Sequence, residues 1–290
     1  MLHPRRSLLG ALALGSLVAP AAAQGPGVFA EMDAPARLRR AHDVLPPGSL
    51  RERLAISRSL ERAAGLGIGL STGRAIVVNI AAAELIAYES GREALRSRVI
   101  VGTTRTPTPQ LATFVTSART NPPWYVPASI EPEIRAAGAV GFRTFNGRLM
   151  QPPGPTNPLG PVRVGLLDSD GIFLHGTNSP HLFARTSRTL SHGCVRVERI
   201  RELTAWLLDQ TSATVEATIA SGRTFELMPT QEVHVMLGYL TAWLDGSGRL
   251  TLHGDPYGLD APDARRAAIR RVRRPVVPLP AEPGTEDNPL

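Results

Sequence analysis

The spacing of hydrophobic residues changes near residue 73, and this change divides the chain. Between residues 37 and 66, apolar residues such as Leu50, Leu54 and Leu60 recur at helical spacing, with one interruption at Pro46-Pro47-Gly48. After residue 73 the helical period gives way to short runs rich in β-branched residues, at residues 74–80, 84–89 and 94–102. The pattern predicts an N-terminal helical segment over residues 24–72 and a strand-rich domain over residues 73–260.

Later segments extend the strand-rich pattern. Runs at residues 162–167 and 172–175 flank a turn of Asp and Gly, which predicts a hairpin, and a second hairpin is predicted from residues 233–243 and 249–253. A helix is predicted over residues 197–208. Residues 103–161 are rich in Pro and Gly, which indicates substrate or capping loops. Together these elements predict a mainly β fold with a mixed sheet, a few helices and a loop-rich capping subdomain.

The two ends of the chain differ from its middle. Arg5-Arg6, an apolar stretch at residues 8–19 and small residues up to Ala23 are typical of a signal peptide cleaved after residue 23. We therefore expect export to the periplasm, by the general secretory route rather than the twin-arginine route. No later run approaches the roughly 20 apolar residues of a membrane span, so the mature chain is expected to lack one. Residues 261–290 are predicted to form a basic helical run followed by a Pro-rich tail.

Composition narrows the possible functions. The chain of 290 residues has a net charge of +7, and all 32 of its basic residues are Arg. These residues are not interleaved with aromatic ones, which make up only 5%, so nucleic-acid binding is disfavoured. Cys194 is the only cysteine, which excludes a disulfide within the chain. A thiol kept unpaired in an oxidising compartment indicates a function.

The candidate chemistry is concentrated between residues 172 and 196. Cys194 follows Ser-His-Gly and is predicted to lie just before a helix, whose N-terminus would favour a thiolate and an oxyanion. His175, at the end of a predicted strand, is the candidate base for that thiol. Gly193 lets the backbone approach a substrate carbonyl closely. Arg196 is suited to binding a substrate carboxylate.

Other readings of these residues remain open at this point. A lone cysteine is often a buried structural thiol, and His192 suits a structural role in the turn as well as a catalytic one. A zinc site of His175, His192 and Cys194 would leave an open coordination position, as hydrolases require. The chain lacks the His-x-x-x-His and Cys-x-x-Cys spacings that would support it, so no metal is expected. Trp124 and Tyr125 either pack down their Pro-rich loop or line a groove.

Residues 175–194 resemble the active-site signature of the cysteine L,D-transpeptidases of bacterial cell walls. That signature is a His, a gap and then Ser-His-Gly-Cys, and here 15 residues, 176–190, lie between His175 and Ser191. Residues 121–130 and 154–160 are similar to stretches of the large periplasmic branch of the family, and the resemblance covers roughly residues 73–260. It implies a sandwich-like L,D-transpeptidase catalytic domain.

The resemblance also implies roles for individual residues. Cys194 would be the nucleophile and His175 the general base and acid, with the carbonyl of Gly176 fixing the imidazole tautomer. The N–H groups of Gly193 and Cys194 would form the oxyanion hole. The remaining candidates would shape the site or bind substrate: Ser191, His192, Arg196, Thr177, Trp124 and Tyr125.

The function implied by the resemblance is peptidoglycan crosslinking. The enzyme would cleave the bond between a diamino acid and D-Ala in a stem tetrapeptide and pass the acyl group to an amine, giving 3-3 or 1-3 crosslinks. No cofactor is required, and a carbapenem would act as a donor mimic. The alternatives are an L,D-carboxypeptidase and a non-catalytic wall-binding scaffold. Papain-like endopeptidases are disfavoured because their Cys precedes their His in the chain.

Overall fold

Residues 34–66 form two helices, as their spacing predicts. The computed structural model describes residues 34–44, 49–67, 70, 72–245, 247, 249–264 and 266–274. The predicted signal peptide and the Pro-rich tail over 275–290 lie outside these residues. The described helices are Ala34–Asp43 (α1), Leu50–Leu66 (α2), Glu131–Ala136 (α3), Ile200–Leu207 (α4) and Ser212–Ala220 (α5), with a 3-10 turn at Pro180–Ala184.

Strands make up most of the remaining regular structure. In chain order they are Arg74–Asn79 (β1), Glu84–Glu89 (β2), Arg92–Gly102 (β3), Gln110–Thr120 (β4), Trp124–Tyr125 (β5), Arg143–Phe145 (β6), Arg148–Gln151 (β7), Val162–Leu166 (β8), Leu174–His175 (β9), Thr189–Ser191 (β10), Val195–Val197 (β11), Phe225–Leu227 (β12), Val233–Gly238 (β13), Ala242–Leu244 (β14), Leu250–Leu252 (β15) and Ile269–Arg271 (β16). The predictions of strands β1, β2 and β3 and of the β8–β9 hairpin are confirmed.

The main sheet folds over on itself because two long strands each serve two neighbours. Its order is β10-β3-β11-β9-β8-β4-β13-β1-β2, and β2 also pairs with β3. The first part of β3 pairs with β2 and its end with β11, while β4 passes from β13 to β8 across a register shift between Val115 and Ser117. The two halves enclose one hydrophobic core. The prediction of a mainly β, sandwich-like fold with few helices is confirmed.

Side-chain alternation on the central strands decides what faces the core. Val164, Leu174 and Val195 on β8, β9 and β11 are fully buried in it. Because successive side chains on a strand point to opposite faces, their neighbours in sequence lie on the outer face of the same three strands. The outer face is where the polar residues of the 172–196 segment are gathered.

A three-stranded sheet and helix α3 form a cap over that outer face. The cap sheet has the order β5-β7-β6. Its base is held by Asn157, whose fully buried side chain donates to the carbonyls of Pro122 and Pro152 and accepts from the N–H of Leu159. The capping subdomain predicted within residues 103–161 is therefore present and contains regular structure.

Three local predictions were wrong. The predicted loops over 103–161 include β4, an 11-residue central strand whose buried Gln110, Thr113 and Ser117 hide the apolar alternation of a strand. The basic run over 264–274, predicted as a helix, contains β16, because Ile269–Arg271 finds a free edge of β4. The second predicted hairpin is narrower than expected: β14 and β15 form it, while β13 lies in the main sheet.

None of the helices among the described residues is long and apolar enough to cross a bilayer.

Arg62 ties helix α2 to the far end of the sheet. Its guanidinium donates to the carbonyls of Tyr239 and Leu259 and pairs with Asp260 at 2.7 Å, and the side chains of Arg62 and Asp260 are only 10% and 14% exposed. This group therefore bridges two layers of the fold through buried hydrogen bonds.

We expect Arg62→Met to lower the free energy of unfolding by about 3 kcal/mol, because it leaves the largely buried Asp260 carboxylate without its cationic partner. The control is Arg58→Met, which removes an ion pair with Glu61 on the same helix, spaced i,i+3 and partly exposed. That change is expected to stay within about 0.5 kcal/mol. Urea unfolding measures both, and equal effects of the two variants would contradict the bridging role of Arg62.

Candidate active site

Three polar side chains stand side by side on the outer face of the sheet. His175 on β9 is in register with Arg163 on β8 and with Arg196 on β11. Paired residues in adjacent strands point to the same face, so the imidazole lies between two guanidinium groups. Cys194, just before β11, occupies the next row on that face. The structure thus brings together His175, Cys194 and Arg196, and it adds Arg163, which sequence reasoning missed.

These residues form the floor of a large cavity beneath the cap. The cavity has a volume of about 830 Å³. Its floor is lined by Arg163, His175, Cys194 and Arg196. Its walls include Trp124, Tyr125, Ile130, Phe142 and Asn178. Trp124 packs edge-to-face on Phe142, with ring centroids 5.9 Å apart, so it lines the cavity and also holds the cap together.

The turn that carries Cys194 is fixed by buried hydroxyl groups. Ser191 Oγ donates to the carbonyl of Cys194 at 2.5 Å and accepts the N–H of Gly193 at 3.1 Å. Gly193 has φ = +113°, a conformation that residues with a side chain rarely adopt. Thr108, from the loop before β4, donates to the carbonyl of Gly193 and accepts the N–H of Gly102, both at 2.8 Å. The turn is therefore stabilised by one hydroxyl of its own, that of Ser191, and by one from a distant loop, that of Thr108.

These hydrogen bonds alter the expected oxyanion hole. The N–H of Gly193, predicted as one of its two donors, is already bound to Ser191. The N–H of Cys194 has no intramolecular acceptor among the described residues. Of the two backbone donors that the resemblance implied, only the N–H of Cys194 is therefore free.

The helix predicted over residues 197–208 is present as α4, but Cys194 does not lie just before its N-terminus, as was expected. Residues Val195–Val197 form strand β11, and α4 begins only at Ile200. The reason is that Val195 and Val197 are buried in the core, where β11 pairs with both β3 and β9. The positive end of a helix dipole consequently does not reach the thiol, and arginine side chains supply the positive charge there.

His175 is held as a neutral imidazole. The ring is only 5% exposed, and this burial lowers its pKa from the usual 6.5 to about 4, with the charge of Arg196 adding to the effect. The carbonyls of Gly176 and Leu159 oppose the shift. Neither of them makes a well-aligned hydrogen bond to Nδ1, which is buried without a partner. The predicted carbonyl of Gly176 is thus near the ring, and it shares that place with Leu159.

A close backbone contact positions the second carbonyl. Gly160 has φ = +65°, and a Cβ at this position would lie 2.3 Å from the backbone nitrogen of Thr177. Only glycine lets the turn before β8 pass so near the end of β9. Thr177, predicted to bind substrate, is not among the cavity-lining residues; its hydroxyl accepts the N–H of Ser179.

Cys194 is reachable through the cavity, although protein surrounds it on most other sides. That burial raises the pKa of its thiol, while the N–H of Phe173 and the charges of Arg196 and Arg163 oppose the rise. Sγ lies 3.5 Å from the carbonyl of Gly171, and no hydrogen bond joins it to His175. At neutral pH the site therefore holds a protonated thiol beside a neutral imidazole.

The last predicted site residue, His192, lines the same cavity and contacts the cap. Its ring is about half exposed, and Nε2 lies 3.6 Å from the carboxylate of Glu133 on α3 of the cap. The contact joins the catalytic turn to the cap. Within the described part of the chain, no group of three or more His, Cys, Asp or Glu side chains is arranged to hold a metal ion.

Comparison with known proteins identifies the family of the chain. The model of the YkuD family, described as the L,D-transpeptidase catalytic domain, matches residues 73–219, just over half of the chain. The chain belongs to the L,D-transpeptidase family. A Haemophilus influenzae protein named "Putative L,D-transpeptidase" is 30% identical over 218 residues, which are 64% of this chain and 44% of that protein. The chain thus spans less than half the length of this relative.

Solved L,D-transpeptidase structures are also similar to this one at low sequence identity. One from Xylanimonas cellulosilytica is 16% identical and covers 70% of this chain and 92% of its own, with a TM-score of 0.32. The catalytic domain from Enterococcus faecium, solved acylated by ertapenem, is 16% identical and covers 49% of this chain and 96% of its own, with a TM-score of 0.32.

We expect the thiol of this L,D-transpeptidase to titrate above the value of about 8.5 that is typical of free cysteine, because burial raises its pKa. The measurement is the rate of alkylation of Cys194 by iodoacetamide across pH 6–11. Since the chain has one cysteine, the protein unfolded in urea is a matched control and is expected to titrate near the free value. A folded-state midpoint below 7 would show instead a preformed thiolate–imidazolium pair.

Proposed function

We propose that this L,D-transpeptidase crosslinks peptidoglycan with Cys194 as the nucleophile. The observation that carries the proposal is the placement of a reachable thiol beside a buried neutral imidazole on the floor of one cavity, with guanidinium groups on both sides of the imidazole. Two guanidinium groups suit a donor that carries carboxylates, as the stem tetrapeptide does. A cavity of about 830 Å³ is large enough for a peptide segment.

In the first half-reaction, Cys194 attacks the carbonyl between the diamino acid and the terminal D-Ala. His175 takes the thiol proton as the S–C bond forms, and it gives that proton to the nitrogen of D-Ala as the C–N bond breaks. The free N–H of Cys194 stabilises the oxyanion. Arg163 and Arg196 stabilise negative charge on sulfur before the bond is complete.

In the second half-reaction, an amine of another stem peptide attacks the thioester. His175 removes a proton from this amine, and the C–S bond breaks with return of a proton to sulfur. The cap contributes to this step. Its residues Trp124 and Tyr125 line the cavity and can hold the acceptor chain in place of water. We propose that this reaction occurs in the periplasm after removal of residues 1–23, and that carbapenems acylate Cys194 as donor mimics.

The direct test is mass spectrometry of disaccharide-tetrapeptide incubated with the purified protein. We expect crosslinked dimers that have lost one D-Ala, and fragmentation identifies the acceptor amine. The control is Cys194→Ala, which keeps the fold and is expected to give no product. Tripeptide without dimer would identify a carboxypeptidase, and an unchanged donor with both proteins would favour the scaffold reading.

Thr108 is expected to be a positioning residue for this reaction. Its buried hydroxyl fixes the carbonyl of Gly193, and so the peptide that leads to the N–H of Cys194. We expect Thr108→Val to lower the acylation rate about 100-fold, because a small displacement of a catalytic group is enough for such a loss. Single-turnover acylation by tetrapeptide measures the rate.

The matched variant is Thr108→Ser, which keeps the hydroxyl and is expected to retain acylation within about 3-fold of wild type. Melting temperatures are recorded for both variants. If serine fails to rescue, or if valine acylates at the wild-type rate, the hydroxyl does not position the turn.

A further inference from the structure

Two arginines on the cavity floor are not neutralised by the protein. Arg196 makes no hydrogen bond or ion pair with any described residue. Arg163 has one distant carboxylate, Glu226 at 3.9 Å, and its buried Nε has no hydrogen-bond partner. Burial lowers the pKa of both groups, so holding these charges here is unfavourable without an anion.

The acidic residues nearby are engaged elsewhere. Glu226 is bound by Arg119 and by the hydroxyl of Ser117, so little of its charge is left for Arg163. Of the acidic residues that line the cavity, Asp170 pairs with Arg270 at 3.3 Å and Glu133 lies against His192. The cavity floor is therefore positive, and its acids lie at the edges with their own partners.

Arg163 is also pre-oriented for a ligand. Its guanidinium lies over the ring of Phe173, 4.5 Å from the ring centroid, and its side chain is 19% exposed. Stacking fixes the plane of the guanidinium, which reduces the entropy lost when it binds a carboxylate with two parallel hydrogen bonds. The group is fixed in place, charged and open to the cavity.

The two arginines lie far enough apart to bind two separate carboxylates of one donor. They lie on β8 and β11 with β9 between them, which places their backbones roughly 10 Å apart at the usual strand separation. A stem tetrapeptide built on a dicarboxylic diamino acid has one carboxylate on its terminal D-Ala and another at the far end of the diamino acid side chain. The scissile bond lies between these two carboxylates. Cys194 lies near both arginines, so a donor bound to both would present that bond to the thiol.

We propose that Arg163 determines specificity by binding the free carboxylate at the end of the diamino acid side chain, while Arg196, on the same strand end as the nucleophile, binds the carboxylate of D-Ala. This inference rests on the proposed function. It names the substrate class: donors whose diamino acid carboxylate is free, in preference to donors in which that group is an amide. An amide offers an NH₂ donor and no charge, so it leaves Arg163 unpaired.

The experiment compares two tetrapeptide donors that differ only in this group, one with the free carboxylate and one with the amide. For wild type we expect kcat/KM to be about 30-fold higher with the free carboxylate, the size of one hydrogen-bonded ion pair. Arg163→Gln is expected to bring this ratio to about 1, because any loss of charge stabilisation at sulfur lowers kcat/KM for both donors alike and cancels in the ratio. A wild-type ratio near 1, or an unchanged ratio in Arg163→Gln, overturns the proposal.

The control is Arg223→Gln, which removes another arginine stacked on an aromatic ring, Phe225 at 5.1 Å, outside the cavity. It is expected to keep the wild-type ratio. If Arg163→Gln does not fold, Arg163→Lys serves instead, because it keeps the charge but loses the planar fork; its ratio is expected to fall by about 5-fold. An Arg163→Lys ratio equal to that of wild type overturns the proposal.

Binding separates this proposal from the proposed reaction. Calorimetry with Cys194→Ala measures the Kd of both peptides without turnover, and the double variant Cys194→Ala/Arg163→Gln is expected to lose the preference for the free carboxylate. An Arg163-dependent preference in binding, with no turnover by wild type, would refute the crosslinking reaction and keep the carboxylate site. Turnover without that preference would refute the carboxylate site alone.

Discussion

The active site depends on the packing of three short strands into the core. Val164, Leu174 and Val195 must be buried for the sheet to close over its core, and they fix the facing of β8, β9 and β11. A shift of one residue in any of these strands would bury a charged or polar side chain and expose an apolar one, which is prohibitively unfavourable. Arg163, His175 and Arg196 are therefore presented on one face by the same force that stabilises the fold. Little flexibility is left in their relative positions.

The packing of these strands also sets the electrostatics of the site. Burial disfavours charge on His175 and on the thiol of Cys194, and the arginines disfavour charge on the imidazole while favouring it on sulfur. The site thus holds positive charge that the carboxylate of the proposed donor can neutralise. When a carboxylate pairs with Arg196, the repulsion between that arginine and a protonated His175 is reduced, so the pKa of the imidazole rises. Donor binding would then prepare the base at the moment when it has to accept the thiol proton.

Short-range patterns in the sequence predicted much of this arrangement. The β-branched runs of β1, β2 and β3 and the Asp-Gly turn between β8 and β9 are local signals, and the structure contains those elements. His175 and Cys194 were selected from their chemistry and from the resemblance to the L,D-transpeptidase signature, and the structure brings them to one cavity floor. Arg163 could also have been predicted from the sequence, because the hairpin around Asp168–Gly171, in the observed register, places it opposite His175.

The elements that were mispredicted depend on contacts distant in sequence. Nothing near Gly193 indicates that a hydroxyl 85 residues earlier, that of Thr108, binds its carbonyl. The basic segment around Ile269 has no strand pattern of its own and becomes a strand because β4 offers it an edge. The prediction of a helix N-terminus at Cys194 was wrong for a related reason. Strand β11 follows Cys194 and pairs with both β3 and β9, so α4 begins only after it.

The protonated resting state of Cys194 also bears on how a free thiol survives in the compartment we propose for it. Oxidation and disulfide exchange proceed through the thiolate, so a thiol whose pKa is raised by burial reacts slowly with small oxidants. The same burial would slow catalysis if nothing reversed it. In the proposed reaction, Arg163 and Arg196 would stabilise negative charge on sulfur once His175 accepts its proton, and a bound donor carboxylate would raise the pKa of that imidazole. Reactivity would then be coupled to the substrate, whereas a preformed thiolate pair would be reactive at all times.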